Sequence, residues 1–360
     1  MTKVFIPLVG QFTNVGDTLH RSVLIEWLKD DCELHLYIGQ ADESFISGLH
    51  VSGKFIFYRS LIFWYLKALF FSKKSVFFYN PGEITGSLKR FFKEIFLFPL
   101  LSTYKFNSRP ALKVGVDIQY RSKFNDFLYS LTNYFTTYSF YRTESSFLRF
   151  GNGEVIPDLG FYRFDPTQLG DRNYICLSFR GDRNLFNDET LIALKDFSKE
   201  KKLKICVVVQ VRMDNLSAMN LRDKFSDHGM KIETILWHDN VSHSDQEKEV
   251  NRLYKKAKLT ISDRLHVLIA AANNGSIPIC IAPYYSSKIE NHFNVINFSR
   301  NVFKQKESIA ETKALLELSL KRDNEISKRM IVAKNVLEER KMHIICLLYT
   351  SDAADEEDSV

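Results

Sequence analysis

The run Lys258-Leu-Thr-Ile-Ser262-Asp263-Arg264-Leu265-His266-Val-Leu-Ile-Ala-Ala-Ala-Asn-Asn-Gly275-Ser-Ile-Pro-Ile-Cys-Ile281 reads as strand, helix, strand. Its first apolar stretch stops at Ile261, Ser262 or Asp263 is suited to cap a helix, and the alanine-rich helix stops at Gly275 before a second buried strand. Working outward, strand-like runs at 174–179, 203–209 and 231–236 alternate with helical patterns near 188–199, 215–226 and 244–256. That alternation predicts a doubly wound parallel sheet.

The N-terminal half follows the same grammar. Val4 to Val9 reads as a strand, Gly10 to Asp17 as a turn, and Thr18 to Leu28 as a helix with apolar residues at helical spacing. Further strand-like runs at 34–38, 54–58, 75–79 and 113–116 continue the sheet. The polar, turn-rich stretch Asp165 to Arg172 marks a boundary, giving domains at 1–165 and 166–345. The expected fold class is therefore α/β, with two doubly wound Rossmann-like domains facing a cleft, an architecture of the glycosyltransferase-B type. Ligands of such sheets bind beyond the carboxyl ends of the strands.

Composition narrows the class. Of 360 residues 45% are apolar and 26% charged, which excludes a disordered chain. The five cysteines lack metal or disulfide spacing, and no secretory signal pattern is visible, so a reducing, cytoplasmic location is expected. The net charge of +6 favours anionic ligands or surfaces, and no nucleic acid partner is expected. Residues 346–360 resemble the translation of a sequencing-library adapter and are expected to be a non-native tail. Aromatic residues reach 14% and concentrate in Leu61 to Phe71 and Phe91 to Leu101, both flanked by basic residues. Each stretch is too short to cross a bilayer. Two readings stand: helices buried against the sheet, or a peripheral membrane contact in which Lys73, Lys74, Lys89 and Arg90 meet anionic headgroups.

Arg264 and His266 fall just past the carboxyl end of a predicted parallel strand, in the expected first turn of a helix, where unpaired N–H groups favour anions. Leu265, Leu268 and Ile269 continue the core-facing stripe, so Arg264 and His266 are directed out of the core. A guanidinium fork suits phosphate or carboxylate, and an imidazole suits proton transfer near neutral pH. Taken alone, the pair fits equally well a surface ion pair and a hydrogen-bonded buried histidine. Arg180 ends strand 174–179 and is a further candidate for anion binding, or for capping the sheet. His238 and His243 are expected on a surface loop, and His292 lacks metal-like spacing.

Ser262, Arg264, Leu265 and His266, with Gly275, Pro278, Tyr285 and Lys288 after them, resemble the signature of the polysaccharide pyruvyl transferase family. Asn14-Val-Gly16-Asp17, Gly115, Arg142-Thr-Glu-Ser145 and Pro157-Asp158 are similar to weaker family features, extending the resemblance over most of residues 3–295. Thr143 stands where the family usually has Asp, and Asn80 to Gly86 replaces a Gly-Gly-rich turn. The resemblance implies phosphoenolpyruvate as donor, with no additional cofactor and no metal required. It implies His266 as proton donor and Arg264 as the catalytic anion holder, with Lys288, Arg142, Ser262, Asn14, Gly16 and Asp17 around the substrates, where Arg180 joins them by its position at a strand end. The acceptor implied is a glycan or lipid-linked oligosaccharide at the inner face of a membrane. A nucleotide-sugar glycosyltransferase and a non-catalytic glycan-binding protein are the alternatives.

Overall fold

The computed structural model describes residues 1–70, 74–85, 88–119, 123–168, 170–182 and 186–357. The chain forms two compact units, one from Met1–Phe12, His20–Leu159 and Val336–Val360, the other from Thr13–Leu19 and Gly160–Asn335. Unit 1 holds strands β1 (Thr2–Pro7), β2 (Cys32–Tyr37), β3 (Phe55–Tyr58), β4 (Ser75–Phe78), β5 (Gly82–Thr85), β6 (Ala111–Gln119), β7 (Tyr138–Tyr141) and β8 (Gly153–Val155). All pair in parallel, in the order β3-β2-β1-β4-β6-β7-β8, with β5 alongside β6. The order reverses between β1 and β4.

The helices of this half are α1 (Val15–Leu28), whose residues up to Leu19 belong to unit 2, α2 (Glu43–Gly48), α3 (Leu61–Phe70), α4 (Leu88–Phe106), α5 (Lys123–Tyr134) and α6 (Glu144–Phe150). α3 and α4 each bury one face. Trp64, Tyr65 and Ala68 of the first join Leu97, Leu100 and Tyr104 of the second in a core with Phe5 and Phe77. The Trp64 indole N–H donates to the His35 carbonyl at 2.9 Å, so the ring gains burial without leaving its one donor unmade. Their other faces remain apolar and exposed, so burial against the sheet accounts for only one side of each helix. Lys73, and the side chains of Lys89 and Arg90, lie outside the described residues.

β6 carries the sheet's one pronounced irregularity among the described strands of this half. Its register with β7 shifts between Val114 and Val116, and the intervening Gly115 takes φ +68°. A Cβ there would stand 3.1 Å from the Leu159 side chain, so both conformation and space favour glycine.

Unit 2 is built from β9 (Tyr174–Ser178), β10 (Lys204–Val208), β11 (Glu233–Ile235), β12 (Ala257–Ser262), β13 (Ile277–Ala282) and β14 (Val302–Lys304). The order is β11-β10-β9-β12-β13-β14, again wholly parallel, with its reversal between β9 and β12. β12 and β13 are buried along nearly their full length, as strands covered on both faces must be. Around them run α7 (Asp188–Glu200), α8 (Asn215–Asp227), α9 (His243–Lys256), α10 (Leu265–Asn273), α11 (Ser287–Val295) and α12 (Ile309–Leu320). Asn187 and Ser242 start α7 and α9 by accepting from the backbone N–H groups of Thr190 and Asp245.

The last helix, α13 (Asp323–Glu357), passes from the second unit's residues into the first's. Residues 346–357, expected to be foreign, continue it, with Leu348 buried. All five cysteines are free thiols.

Candidate active site

The strand reversal in unit 2 places the carboxyl ends of β9 and β12 side by side, with Ser178 opposite Ser262. The Ser262 hydroxyl donates to the Ser178 carbonyl at 2.5 Å and accepts from the Arg264 N–H at 3.0 Å. It is fully buried and occupied by these bonds, so it clamps the two strand ends and sets the start of α10. Arg264 itself is extended (φ −107°, ψ 120°), and the helix begins at Leu265. The arginine therefore stands one residue ahead of the first turn in which the sequence placed it.

Its side chain has a partner that the sequence reading did not supply. Arg264 Nη2 donates to Asp214 Oδ1 at 2.6 Å, and Nε lies 2.5 Å from Oδ2. The second approach is close but lacks the alignment of a hydrogen bond, so the pair is held by one good bond and by charge. Asp214 ends the short turn Arg212–Asp214 beyond β10, and its Oδ1 also accepts from the Gly181 N–H at 2.9 Å. Asp263 plays a similar part, accepting from the Arg180 N–H at 3.0 Å. Three strand ends, β9, β10 and β12, are thus tied by two carboxylates.

Arg180 turns its guanidinium to Asp182, with two bonds of 2.8 Å. Those bonds, with Asp263 and Asp214 nearby, hold its pKa above the usual arginine value against the opposing effect of burial. Lys288 is the second residue of α11, beyond β13, and its carbonyl accepts from His292 Nδ1 at 2.7 Å. The neighbouring Tyr285 bonds to Glu290, which pushes its phenol up to about 12.

His266 lies in the first turn of α10, and its support comes from the other end of the sequence. Gly16 packs so closely that a Cβ there would stand 2.6 Å from the His266 Cβ. The need is for close approach, since Gly16 is helical and has no positive φ. Asn14 shapes this turn. Its Oδ1 accepts from the Gly16 N–H at 2.9 Å, its carbonyl accepts from the Asp17 N–H at 3.0 Å, and its Nδ2 donates to Asp17 Oδ1 at 3.2 Å. The turn is fixed to the segment after β10 by Val15 N–H to the Gln210 carbonyl at 3.1 Å and Arg212 N–H to the Thr13 carbonyl at 3.0 Å. Residues 210–214 therefore hold the Asn14 turn by backbone and Arg264 by side chain.

His243 departs from expectation. It is fully buried at the start of α9, with Nε2 3.2 Å from the Asn14 carbonyl and 3.3 Å from the Thr18 hydroxyl. His238 is exposed. Arg142 belongs to unit 1, where its Nη1 donates to Asp158 Oδ2 at 2.8 Å in a pair sealed from solvent on both sides. In the same unit Thr143 donates to Asp117 Oδ1 at 2.8 Å, and the Ser146 hydroxyl donates to the same oxygen at 3.0 Å. A cavity of about 710 Å³ also lies in this unit, bordered by Pro110, Asn133 and Thr137. It opens at the amino ends of β6 and β7, away from the carboxyl edge where such sheets bind ligands.

Asp214, Gly181 and His243 are the residues that the sequence reading missed. Asp214 carried a usable signal, being a carboxylate a few positions past the carboxyl end of a predicted parallel strand.

A family model for polysaccharide pyruvyl transferase matches residues 14–283. The chain belongs to the polysaccharide pyruvyl transferase family. The match starts at Asn14 and spans the Asn14 turn, Asp214 and the Arg264-Leu265-His266 block. No curated protein matches this pyruvyl transferase family member. Among solved structures it is similar to a putative UDP-N-acetylglucosamine 2-epimerase from Listeria monocytogenes, at 12% identity and TM-score 0.57, covering 95% of this chain and 96% of that one. It is also similar to Anabaena HepE, solved with UDP, at 12% identity and TM-score 0.55 with full coverage of both chains. A third is the UDP-GlcNAc 2-epimerase of Methanocaldococcus jannaschii, at 14% identity and TM-score 0.55, covering 89% and 93%. At these identities the likeness speaks for the fold, which is α/β with two parallel Rossmann-like sheets, of glycosyltransferase-B type.

Proposed function

We propose that this protein transfers the pyruvyl group of phosphoenolpyruvate to a sugar of a cell-surface polysaccharide or its lipid-linked precursor, forming a cyclic ketal. The observation that carries the reading is the β12–α10 junction. Within a chain of this family, it presents a guanidinium and an imidazole at a strand reversal, each fixed by a separate device, Asp214 for Arg264 and Gly16 for His266. His266 as imidazolium gives its proton to the donor's methylene carbon, which becomes a methyl group. Positive charge then builds at the adjacent carbon, a sugar hydroxyl bonds there, and the C–O bond to phosphate breaks, the phosphate leaving with that hydroxyl's proton. A second hydroxyl closes the ketal, and its proton restores the imidazolium.

Arg264 offsets the donor's negative charge while it redistributes, with Lys288 and Arg180 as further anchors. Asp214 keeps the fork oriented, so that less freedom is lost when the donor binds. In this reading no metal or cofactor is needed, and the acceptor is met at the cytoplasmic face of a membrane. The test is release of inorganic phosphate from phosphoenolpyruvate in the presence of glycan or lipid-linked oligosaccharide, with mass detection of the pyruvylated product. Release of a nucleoside diphosphate from a nucleotide sugar, with phosphoenolpyruvate untouched, would reject the proposal.

A further inference from the structure

The outer face of α3 and α4 in unit 1 is far more apolar than solvent contact requires. On α3, Ile62 is 68% exposed and Phe70 78%, with Phe63 and Leu66 between them; on α4, Phe92 is 60% exposed, followed by Ile95 and Phe96. The two helices form one surface, because the Tyr65 and Phe96 rings lie 4.2 Å apart. β3 extends it through exposed Phe55 and Ile56 at the sheet edge. Scattered exposed apolar residues are ordinary, whereas a contiguous aromatic face marks a contact surface.

Charge selects the occupant. Residues 54–106 contain nine Lys or Arg and two Asp or Glu. One of the two acids, Glu94, is buried. Lys67 stands within the apolar face, its ammonium 5.5 Å from the Phe63 ring centroid, an arrangement in which a long stem lies among apolar groups and the charge reaches outward. A second copy of this chain would set the same positive charge against itself, which opposes self-association. Among the described residues no helix is long and apolar enough to cross a membrane. A face that is aromatic, basic and non-spanning matches the interface of a bilayer with anionic headgroups.

We infer that the α3–α4 face seats unit 1 on anionic lipid, with Ile62, Leu66, Phe70 and Phe92 entering the headgroup boundary and Lys67, Lys74 and Lys93 meeting the negative charge. The inference concerns this surface alone and stands whether or not the transfer reaction is as proposed. The experiment is vesicle flotation of the full chain with phosphatidylcholine alone or with about 30% phosphatidylglycerol, at about 0.05 and 0.5 M salt. Partition to the anionic vesicles is expected to be at least about tenfold higher at low salt and to fall at high salt. A variant combining Ile62→Ser, Leu66→Ser and Phe70→Ser should lose at least about tenfold in partition while melting within about 3 °C of the parent.

A second variant, Lys67→Gln with Lys74→Gln, tests the charge even if the serine variant fails to fold, and should abolish the preference for anionic vesicles. No recovery with anionic vesicles, equal recovery with neutral ones, or unchanged binding by a folded serine variant would overturn the inference. So would lipid-free dimerisation lost in the serine variant, since the face would then be occupied by another copy.

Discussion

Arg142 and Arg264 are both arginines just past a parallel strand, and both pair with an aspartate, yet the two units treat them differently. In unit 1 the Arg142–Asp158 pair is sealed, with the arginine 2% exposed. In unit 2 the Arg264 side chain keeps 14% exposure and only one well-aligned bond to Asp214. A sealed ion pair replaces water with a single fixed partner and serves as a structural tie. A pair at a rim keeps its geometry and can still share the guanidinium with an arriving anion. Two arginines at strand ends thus differ in residual access, and the proposed reaction assigns the donor to the more accessible one.

The largest effect should come from breaking the sealed pair. Asp158→Asn leaves Arg142 buried without its countercharge and should cost about 3–5 kcal/mol of stability, read as a fall in denaturation midpoint. Donor affinity of the molecules that remain folded should be unchanged. A stable Asp158→Asn protein with weakened donor binding would reverse the contrast and make Arg142 a ligand residue.

His266→Gln should lower turnover by about 10²- to 10⁴-fold with donor affinity and melting temperature preserved, the signature of a lost proton donor. Gly16→Ala should reproduce much of that loss, because its new methyl displaces the His266 ring; near-normal turnover in a stable Gly16→Ala protein would show that His266 is not held by this contact. At the rim pair, Arg264→Lys and Asp214→Asn should each weaken donor binding by roughly tenfold, while costing less stability than Asp158→Asn. Isothermal titration with phosphoenolpyruvate beside thermal melts separates those two quantities.

The smallest change is expected at Arg180. Its guanidinium is 37% exposed and already engaged by Asp182. Arg180→Gln should alter stability by less than about 1 kcal/mol and donor affinity by only a few-fold. A loss as large as that of Arg264→Lys would show that Arg180 leaves Asp182 to hold substrate.

The alternation in unit 2 was legible because buried parallel strands are continuous apolar runs, and β9, β10, β12 and β13 lie within a residue or two of their expected spans. β7 was not foreseen. Four residues, Tyr-Ser-Phe-Tyr, are too few to establish a period, and they are ordered by pairing with β6. β5, β8 and β14 are as short and were missed for the same reason. The placement of Arg264 and His266 just past a strand was readable. The pairing of Arg264 with Asp214 was not, because an ion pair spanning 50 positions is a tertiary fact. Gly16 was noticed, but its reason lies in a side chain at the far end of the match.

That last contact also orders the protein's birth. Gly16 and His266 are 250 positions apart, and at about 5–20 residues per second a ribosome needs roughly 12–50 s to pass from one to the other. During that interval β1 and its neighbours are free to assemble, while the Asn14 turn waits for a partner not yet made. A nascent chain interrupted between β8 and β12 holds every strand of the first sheet and no histidine for Gly16 to pack against, so this contact is made only when synthesis of the second sheet is well advanced.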